Sequence, residues 1–163
     1  MIDQKPVITF KDYLKKFKNS KIGPLTFEIQ SSKITALLGS SGSGKTVIIN
    51  TLLGIIRKYK GDIVLNDINR KAYSYYKANY NVGFYTQMDF SLYEVTAYEF
   101  LLDICLMLGL YKKEYKKRIE YWMKYFDLWE SKDKKIKNYS WGMKNRMNLI
   151  LCFIKEPSII ILD

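Results

Sequence analysis

One ten-residue segment limits what this chain can fold into more than any other feature. Residues 37–46 read LLGSSGSGKT and satisfy the spacing GxxxxGK followed by Ser or Thr. The fixed positions of that spacing are Gly39, Gly44, Lys45 and Thr46. The apolar run ITALL at 34–38 predicts a buried strand, and VIINTLLGII at 47–56 predicts the helix that should follow. The segment therefore predicts a strand, a glycine-rich loop and a helix, in that order.

The residue types in this segment suit a phosphate ligand. Glycines let the backbone curl so that successive amide N–H groups point inward, and the helix N-terminus adds positive potential. Lys45 supplies a point charge, and Thr46 offers a hydroxyl to Mg²⁺. The segment is therefore predicted to hold the phosphates of a nucleoside triphosphate. The predicted nucleotide-binding residues are Gly39, Ser40, Ser41, Gly42, Ser43, Gly44, Lys45, Thr46 and Val47.

A glycine- and serine-rich connection that merely precedes a helix is the alternative interpretation of this segment. The full spacing, with an apolar run before it and a helical pattern after it, argues against that alternative. The loop does not name a reaction, because kinases, GTPases, motors and transporters all use it. The rest of the chain must decide between them.

The charge balance of the chain favours anionic partners. The sequence has 163 residues, which predicts one domain, and its 27 Lys and Arg against 16 Asp and Glu give a formal charge of +11. Nucleotide phosphates, an acidic membrane face and nucleic acid are all compatible with that charge. Apart from the runs at 15–21 and 132–137, the lysines are scattered. This distribution indicates a solvated basic surface rather than a nucleic-acid groove.

Cysteine usage and hydropathy bear on the compartment. Cys105 and Cys152 lie in apolar helical patterns, which predicts buried, reduced thiols of a cytosolic protein. The first residues contain no apolar stretch typical of a signal peptide. The most apolar helical pattern, near 95–110, carries Glu99 and Asp103 and is too short to cross a bilayer. If a membrane is involved, we expect another chain to cross it.

Short strands dominate the first half of the chain. Apolar positions around Thr9 and Phe10, the run LTFEI at 25–29 and residues 63–65 predict strands separated by basic or glycine-containing turns. VGFY at 82–85 predicts a further strand. Helical patterns begin after it.

Three helices and one strand are predicted in the second half. Thr96 and Glu99 form a capping box before a helix over 97–108, with Gly109 as its C-terminal cap. The spacing of Tyr115, Ile119, Trp122, Met123 and Phe126 predicts the core-facing side of a second helix. The run KDKKIK at 132–137 predicts an exposed loop, and a third helix is expected from Ser140 to about Ile154. SIIIL at 158–162 predicts a strand buried on both faces, with Asp163 at its carboxyl end, where α/β sheets bind ligands.

Four separated segments make the chain resemble the nucleotide-binding subunit of ABC transporters over essentially its whole length. The glycine-rich loop at 39–46 matches the family's P-loop. Gln87, between VGFYT and LYEVTAYEFL, is similar to its Q-loop, and YSWGMKNR at 139–146 stands in the place of its LSGGQ signature. The strand at 158–162 with Asp163 is similar to its Walker B segment. Each segment alone has an ordinary structural explanation, and their shared order argues for the resemblance.

The resemblance implies a fold class and a domain organisation. The expected fold is an α/β P-loop NTPase with a mixed or parallel sheet core, a small N-terminal antiparallel part and a helical subdomain. Residues 1–163 would form one incomplete ATP-binding domain. Within it, 1–86 would hold the β part and P-loop, 87–156 the Q-loop and helical subdomain, and 157–163 the Walker B strand.

The resemblance also implies roles for individual residues. Lys45, Gln87 and Asp163 would be the catalytic residues, with ATP and Mg²⁺ as cofactors. Thr46 would bind the metal directly, Asp163 through water, and Gln87 would offer an amide oxygen to the metal or to the attacking water. Phe17 aligns with the family's adenine-stacking aromatic residue, although a packed core Phe is the alternative.

The signature segment implies an oligomer and a partner. Ser140, Trp141, Gly142 and Met143 would contact the γ-phosphate of ATP bound to the opposite subunit, in a head-to-tail homodimer or pseudo-dimer. A transmembrane permease would hold this dimer at the cytoplasmic face of the cell membrane, and nucleic acid is not an expected partner.

Several positions depart from the family pattern. Trp141 replaces the first glycine of the signature and Met143 its glutamine, and the form SxGMKxR resembles subfamilies that export drugs or peptide antibiotics. The family's water-orienting glutamate after Asp163 is not in the sequence, and the chain contains no histidine to serve as the switch residue. We therefore expect a truncated form that binds ATP far better than it hydrolyses it.

Three alternative functions stay open at the sequence level. A small nucleotide kinase would need a base-binding lid with clustered arginines, and only Arg57, Arg70, Arg118 and Arg146 are present. A soluble ABC-type ATPase acting on nucleic acid or ribosomes would fit the charge but needs a coiled-coil insertion or a second cassette. A non-hydrolysing remnant is the third alternative.

Overall fold

A computed structural model describes residues 5–86, 88–110 and 112–163, and the chain divides into two units between Tyr80 and Asn81. The first unit contains β1 (Pro6–Lys16), β2 (Lys21–Gln30), α1 (Lys45–Leu52), β3 (Lys60–Leu65), β4 (Ile68–Asn69) and α2 (Tyr75–Tyr80). The second contains β5 (Val82–Tyr85), α3 (Ala97–Met107), α4 (Lys112–Tyr125), α5 (Trp141–Phe153) and β6 (Ile159–Leu162). Short 3₁₀ turns at Trp129–Ser131 and Ile136–Asn138 join α4 to α5.

The first unit is built on a four-stranded antiparallel sheet in the order β2-β1-β3-β4. The buried positions of β1 do not alternate along the whole strand. Ile8 and Phe10 are two residues apart and buried, but the next buried residue is Tyr13, three positions later. The register shifts between Phe10 and Tyr13, and Asp12 has φ 50°. This bulge inserts one extra residue and returns Tyr13 to the core, where its hydroxyl bonds the Thr51 hydroxyl of α1 at 2.9 Å.

The predicted buried strand before the glycine-rich loop is wrong. Residues 34–38 form no strand, and Ile34 and Leu38 are 104% and 87% exposed. A buried strand needs neighbours that pair its backbone groups and layers that cover both faces. Within the described residues of the first unit, no strand pairs with this run. The apolar run by itself therefore did not determine its burial.

The helix after the loop is shorter than the pattern predicts. α1 begins at Lys45 and ends at Leu52, whereas the apolar run continues to residue 56. Gly54 follows with φ 91°, a left-handed conformation that glycine adopts without steric cost and that ends the helix.

Helices α3, α4 and α5 surround the core of the second unit, and the expected helix signals are confirmed. The Thr96 hydroxyl accepts from the Glu99 amide at 3.2 Å, and the Glu99 carboxylate accepts from the Thr96 amide at 2.9 Å. At the other end, the Gly109 amide donates to Leu106 and the Leu110 amide to Cys105, which is a Schellman motif. Buried residues of the expected α4 face include Tyr115, Ile119 and Met123, and both cysteines are buried as expected.

Strands β5 and β6 pair in parallel, and β5 packs against α5. A Cβ at Gly83 would lie 2.4 Å from the Cys152 carbonyl oxygen, so only glycine permits this close approach of strand and helix. The prediction that the last strand is buried on both faces is wrong, since Ile160 and Leu162 are 43% and 62% exposed. One face of β6 is uncovered in this unit, which explains the difference.

Two further expectations concern the exposure of residues 132–137 and the presence of a membrane-spanning helix. The run at 132–137 is not entirely an exposed loop, because Ile136 is fully buried. Its neighbours Lys135 and Lys137 both form ion pairs with Glu94. In the described part of the chain, no helix combines the length and apolar composition needed to cross a bilayer.

Candidate functional site

The glycine-rich loop closes on itself before α1. The Ser43 amide donates to the Ser40 carbonyl oxygen at 3.2 Å, and Gly42 and Gly44 have φ of 79° and 101°. Gly44 is the N-cap of α1, and no side chain caps the helix there. A Cβ at Gly44 would also lie 2.4 Å from the Ile22 side chain. The first-turn amides of α1 therefore stay open to an anionic ligand, because they have no acceptor within the helix.

The Lys45 ammonium group lies over the same loop. It donates to the carbonyl oxygens of Gly39 at 2.8 Å and Ser40 at 3.0 Å. These acceptors are neutral, and no carboxylate within 4.0 Å pairs with Lys45 among the described residues. A full positive charge at this position is therefore available to a ligand.

A cavity of about 330 Å³ lies between the β1–β2 hairpin and the loop. The hairpin contributes Lys21, Ile22 and Leu25, and the loop contributes Gly39, Ser43 and Lys45. Binding pockets for small ligands occupy roughly 300–1,000 Å³. The volume of this open cavity lies at the low end of that range, and apolar side chains and lysines line it together.

The next two predicted residues, Thr46 and Val47, follow Lys45 in the first turn of α1. Thr46 is exposed, so its hydroxyl is accessible to a metal ion, and Val47 is half-buried. No cluster of three His, Cys, Asp or Glu side chains converges in the described ranges. Mg²⁺ is commonly held by one or two protein groups together with substrate phosphates, and Thr46 beside the loop fits such a role.

Phe17 lies in the turn between β1 and β2. Its ring is 42% exposed, and the Lys15 ammonium group lies 5.3 Å from the ring centroid. The alternative that Phe17 is a packed core residue is therefore wrong. The exposed part of Phe17 is accessible to an aromatic ligand.

The far end of α1 is fixed by side chains that the sequence patterns did not single out. Three side chains of residues 70–79 donate to its last carbonyl oxygens: Arg70 Nε to Thr51 at 3.1 Å, Tyr75 Oη to Leu52 at 2.6 Å and Asn79 Nδ2 to Leu53 at 2.8 Å. The Arg70 guanidinium also lies 5.0 Å from the centre of the Tyr75 ring, and burial raises the pKa of Tyr75 well above its ordinary value. These bonds anchor the helix whose other end carries the glycine-rich loop.

The predicted signature segment forms the exposed start of α5. The Ser140 hydroxyl accepts from the Met143 amide at 3.3 Å as the N-cap, and Met143 is half-buried. Trp141 is 79% exposed, and a Cβ at Gly142 would meet nothing within 4 Å. The helix start therefore exposes Gly142 and the indole ring of Trp141 to its surroundings.

Of the two remaining predicted residues, Gln87 lies outside the described residues. Asp163 follows β6 and is exposed, at the carboxyl end of a parallel strand as expected. Asp163 and the signature segment belong to the second unit, and the glycine-rich loop with Phe17 belongs to the first.

The loop, its helix and the associated sheet define a P-loop NTPase. The sequence profile of the family described as "ABC transporter" matches residues 22–163, and the chain belongs to this family. The family expected from the sequence is thereby confirmed, together with the α/β fold class.

Two solved structures share this fold. One is described as cbiO1 from Clostridium perfringens, part of the ABC transporter complex cbiONQ; it has a TM-score of 0.81 at 21% identity, over 98% of this chain and 66% of that chain. The other, described as the ATP binding subunit of an ABC transporter, has a TM-score of 0.83 at 22% identity, over 96% and 65%. The chain thus spans slightly less than two thirds of the length of both proteins.

Proposed function

We propose that this chain is the ATP-binding part of an ABC transporter and binds Mg·ATP at residues 39–47. The observation that carries the proposal is the Lys45 ammonium group, which lines a cavity of about 330 Å³ while only neutral carbonyl oxygens accept from it. A triphosphate would supply the missing negative charge. Family membership supports ATP as the nucleotide.

Each part of the loop has a task in this proposal. The first-turn amides of α1 donate to phosphate oxygens, and the Lys45 ammonium group leaves the Gly39 and Ser40 carbonyls to bind the β- and γ-phosphates. Thr46 binds Mg²⁺ through its hydroxyl, and Phe17 stacks on the adenine. Bound Mg·ATP supplies the phosphoryl group whose transfer to water releases free energy.

The family resemblance adds two residues to the proposal. Asp163 would be a ligand of Mg²⁺, and Gln87 would offer its amide oxygen to the metal or to water. Both roles come from the family resemblance. The exposed carboxylate at the end of β6 is compatible with the role of Asp163.

The open start of α5 supports a dimer in which two ATP molecules lie between subunits. Ser140, Trp141, Gly142 and Met143 would contact the γ-phosphate of ATP bound by the opposite subunit, in a homodimer or a pseudo-dimer. The backbone at Trp141 and Gly142 is exposed, as this role requires. First-turn amides without helical acceptors favour a phosphate there.

We further propose that a transmembrane permease holds the chain at the cytoplasmic face of the membrane. The cbiO1 protein is described as part of a transporter complex, and a comparable assembly would couple ATP binding and hydrolysis to transport here. The sequence SWGMKNR at 140–146, similar to exporter subfamilies, favours export as the direction.

Titration of the chain with Mg·ATP by calorimetry tests the proposal. Lys45→Ala removes charge-assisted bonds worth about 1.5–3 kcal/mol, so Kd should rise roughly 10- to 150-fold. Lys33→Ala, which removes an exposed lysine outside the loop, is the matched control and should bind as the unmodified chain does. Equal affinity of the Lys45→Ala variant and the control would refute the assignment.

A further inference from the structure

The positive charge of this chain is concentrated in the unit that carries the P-loop. Residues 5–80 contain 14 Lys and Arg against four Asp and Glu, whereas residues 81–163 contain 13 against 11. Two of the four carboxylates in the first range pair with other lysines, Asp62 with Lys71 and Asp67 with Lys5. The unit therefore has an excess of cations that its own carboxylates do not neutralise.

One of these cations, Lys21, lines the same cavity as Lys45. Lys21 begins β2, and its side chain makes no ion pair with any described residue. None of the described residues that line the cavity is acidic. Two lysines thus face one cavity without an anion to balance them.

The position of Lys21 in the sheet adds an independent observation. Lys21 lies directly across from Lys16 in the β1–β2 ladder, and both are exposed. Like charges at opposed positions of an antiparallel pair are destabilising, because their side chains are close together. An anion bound next to Lys21 would relieve this repulsion.

We propose that Lys21 is a second cationic contact for the nucleotide, reaching its phosphates from the hairpin side of the cavity. This inference rests on the proposed nucleotide site and adds a specificity residue outside the P-loop. Lys21 favours triphosphate and diphosphate over the uncharged nucleoside, since its contribution is electrostatic. It also makes nucleotide affinity more sensitive to salt than Lys45 alone would.

Lys21→Gln tests the assignment by calorimetric titration of the chain with Mg·ATP and, separately, with adenosine. An exposed charge contributes about 1 kcal/mol or less, so Kd for Mg·ATP should rise roughly 3- to 5-fold while Kd for adenosine stays unchanged. Lys21→Arg should retain the affinity. Lys18→Gln removes one charge from the exposed hairpin turn without lining the cavity, and it should leave both Kd values unchanged.

The thermal midpoint without nucleotide separates binding from folding. Lys21→Gln removes the like-charge pair with Lys16, so this midpoint should stay equal or rise, while the shift that Mg·ATP produces should shrink. Equal Mg·ATP affinity of Lys21→Gln and Lys18→Gln would overturn the inference. It would also be overturned if Lys21→Gln lowered the midpoint without nucleotide and Lys21→Arg lowered it as well. If Lys45→Ala weakens Mg·ATP binding and Lys21→Gln does not, the proposed function still holds and only the role of Lys21 is refuted. If Lys45→Ala leaves the Kd for Mg·ATP unchanged, the proposed function itself is refuted.

Discussion

Replacing Tyr75 with Phe should weaken the attachment of the P-loop helix. Tyr75 is 4% exposed, and its hydroxyl donates to the Leu52 carbonyl oxygen at 2.6 Å. That oxygen belongs to the last turn of α1, where no helical amide can replace the lost donor. A buried acceptor left without a partner costs about 1–3 kcal/mol. The ring and its packing remain, so the change isolates the hydroxyl.

The expected loss can be measured by urea unfolding followed by circular dichroism. About 1.5 kcal/mol corresponds to a decrease of roughly 3–6 °C in the thermal midpoint of a chain of this size. Tyr76→Phe is the matched control, because Tyr76 is the next residue and is 64% exposed. Its removal of a hydroxyl should cost about 0.5 kcal/mol or less. If the two variants unfold at the same urea concentration, the bond to Leu52 does not stabilise α1 as argued.

Further variants and conditions test other contacts. Burial raises the pKa of Tyr75, so the unfolded chain loses this proton at lower pH than the folded chain does. The free energy of unfolding, measured by urea titrations from pH 8 to 11, should therefore fall as pH rises above about 10, and it should fall less steeply in Tyr75→Phe. Gly83→Ala places a methyl group 2.4 Å from the Cys152 carbonyl oxygen and should lower the stability measured by thermal unfolding by about 1–3 kcal/mol. The methyl group of Gly142→Ala meets no neighbour, so this variant should keep the stability or raise it by up to about 1 kcal/mol. An equal effect of the two substitutions would contradict the packing argument. Burial raises the pKa of the Cys105 thiol to about 11 and also raises that of Cys152, so iodoacetamide at pH 8 should label neither until the chain unfolds; labelling of the folded chain at the rate of a free thiol would contradict this.

Features that depend on neighbouring residues in the sequence were predictable. The capping box of Thr96 and Glu99 and the N-cap at Ser140 form as expected, because each involves residues three apart. The glycine-rich loop has positive φ at Gly42 and Gly44, and the spacing requires a glycine at the second of these positions. Local chemistry is sufficient for such structures.

Features that depend on distant residues were not predictable from pattern. The bonds from Arg70 and Tyr75 to α1 join residues 19 and 23 positions apart and leave no periodic signal. The exposure of 34–38 and of Leu162 depends on which strands and layers cover them, and an apolar run does not contain that information. The bulge at Asp12 likewise depends on pairing with a second strand.

The bonds of Lys45 to its own loop mean that nucleotide binding would be an exchange of partners. Without a ligand, the ammonium group already has two acceptors, the carbonyl oxygens of Gly39 and Ser40. A phosphate must compete with them, so net affinity is smaller than the strength of the new bonds alone. The same acceptors would receive the ammonium group again as the ligand departs, so no unpaired charge would be left behind. A site of this kind favours release of its ligand over tight retention.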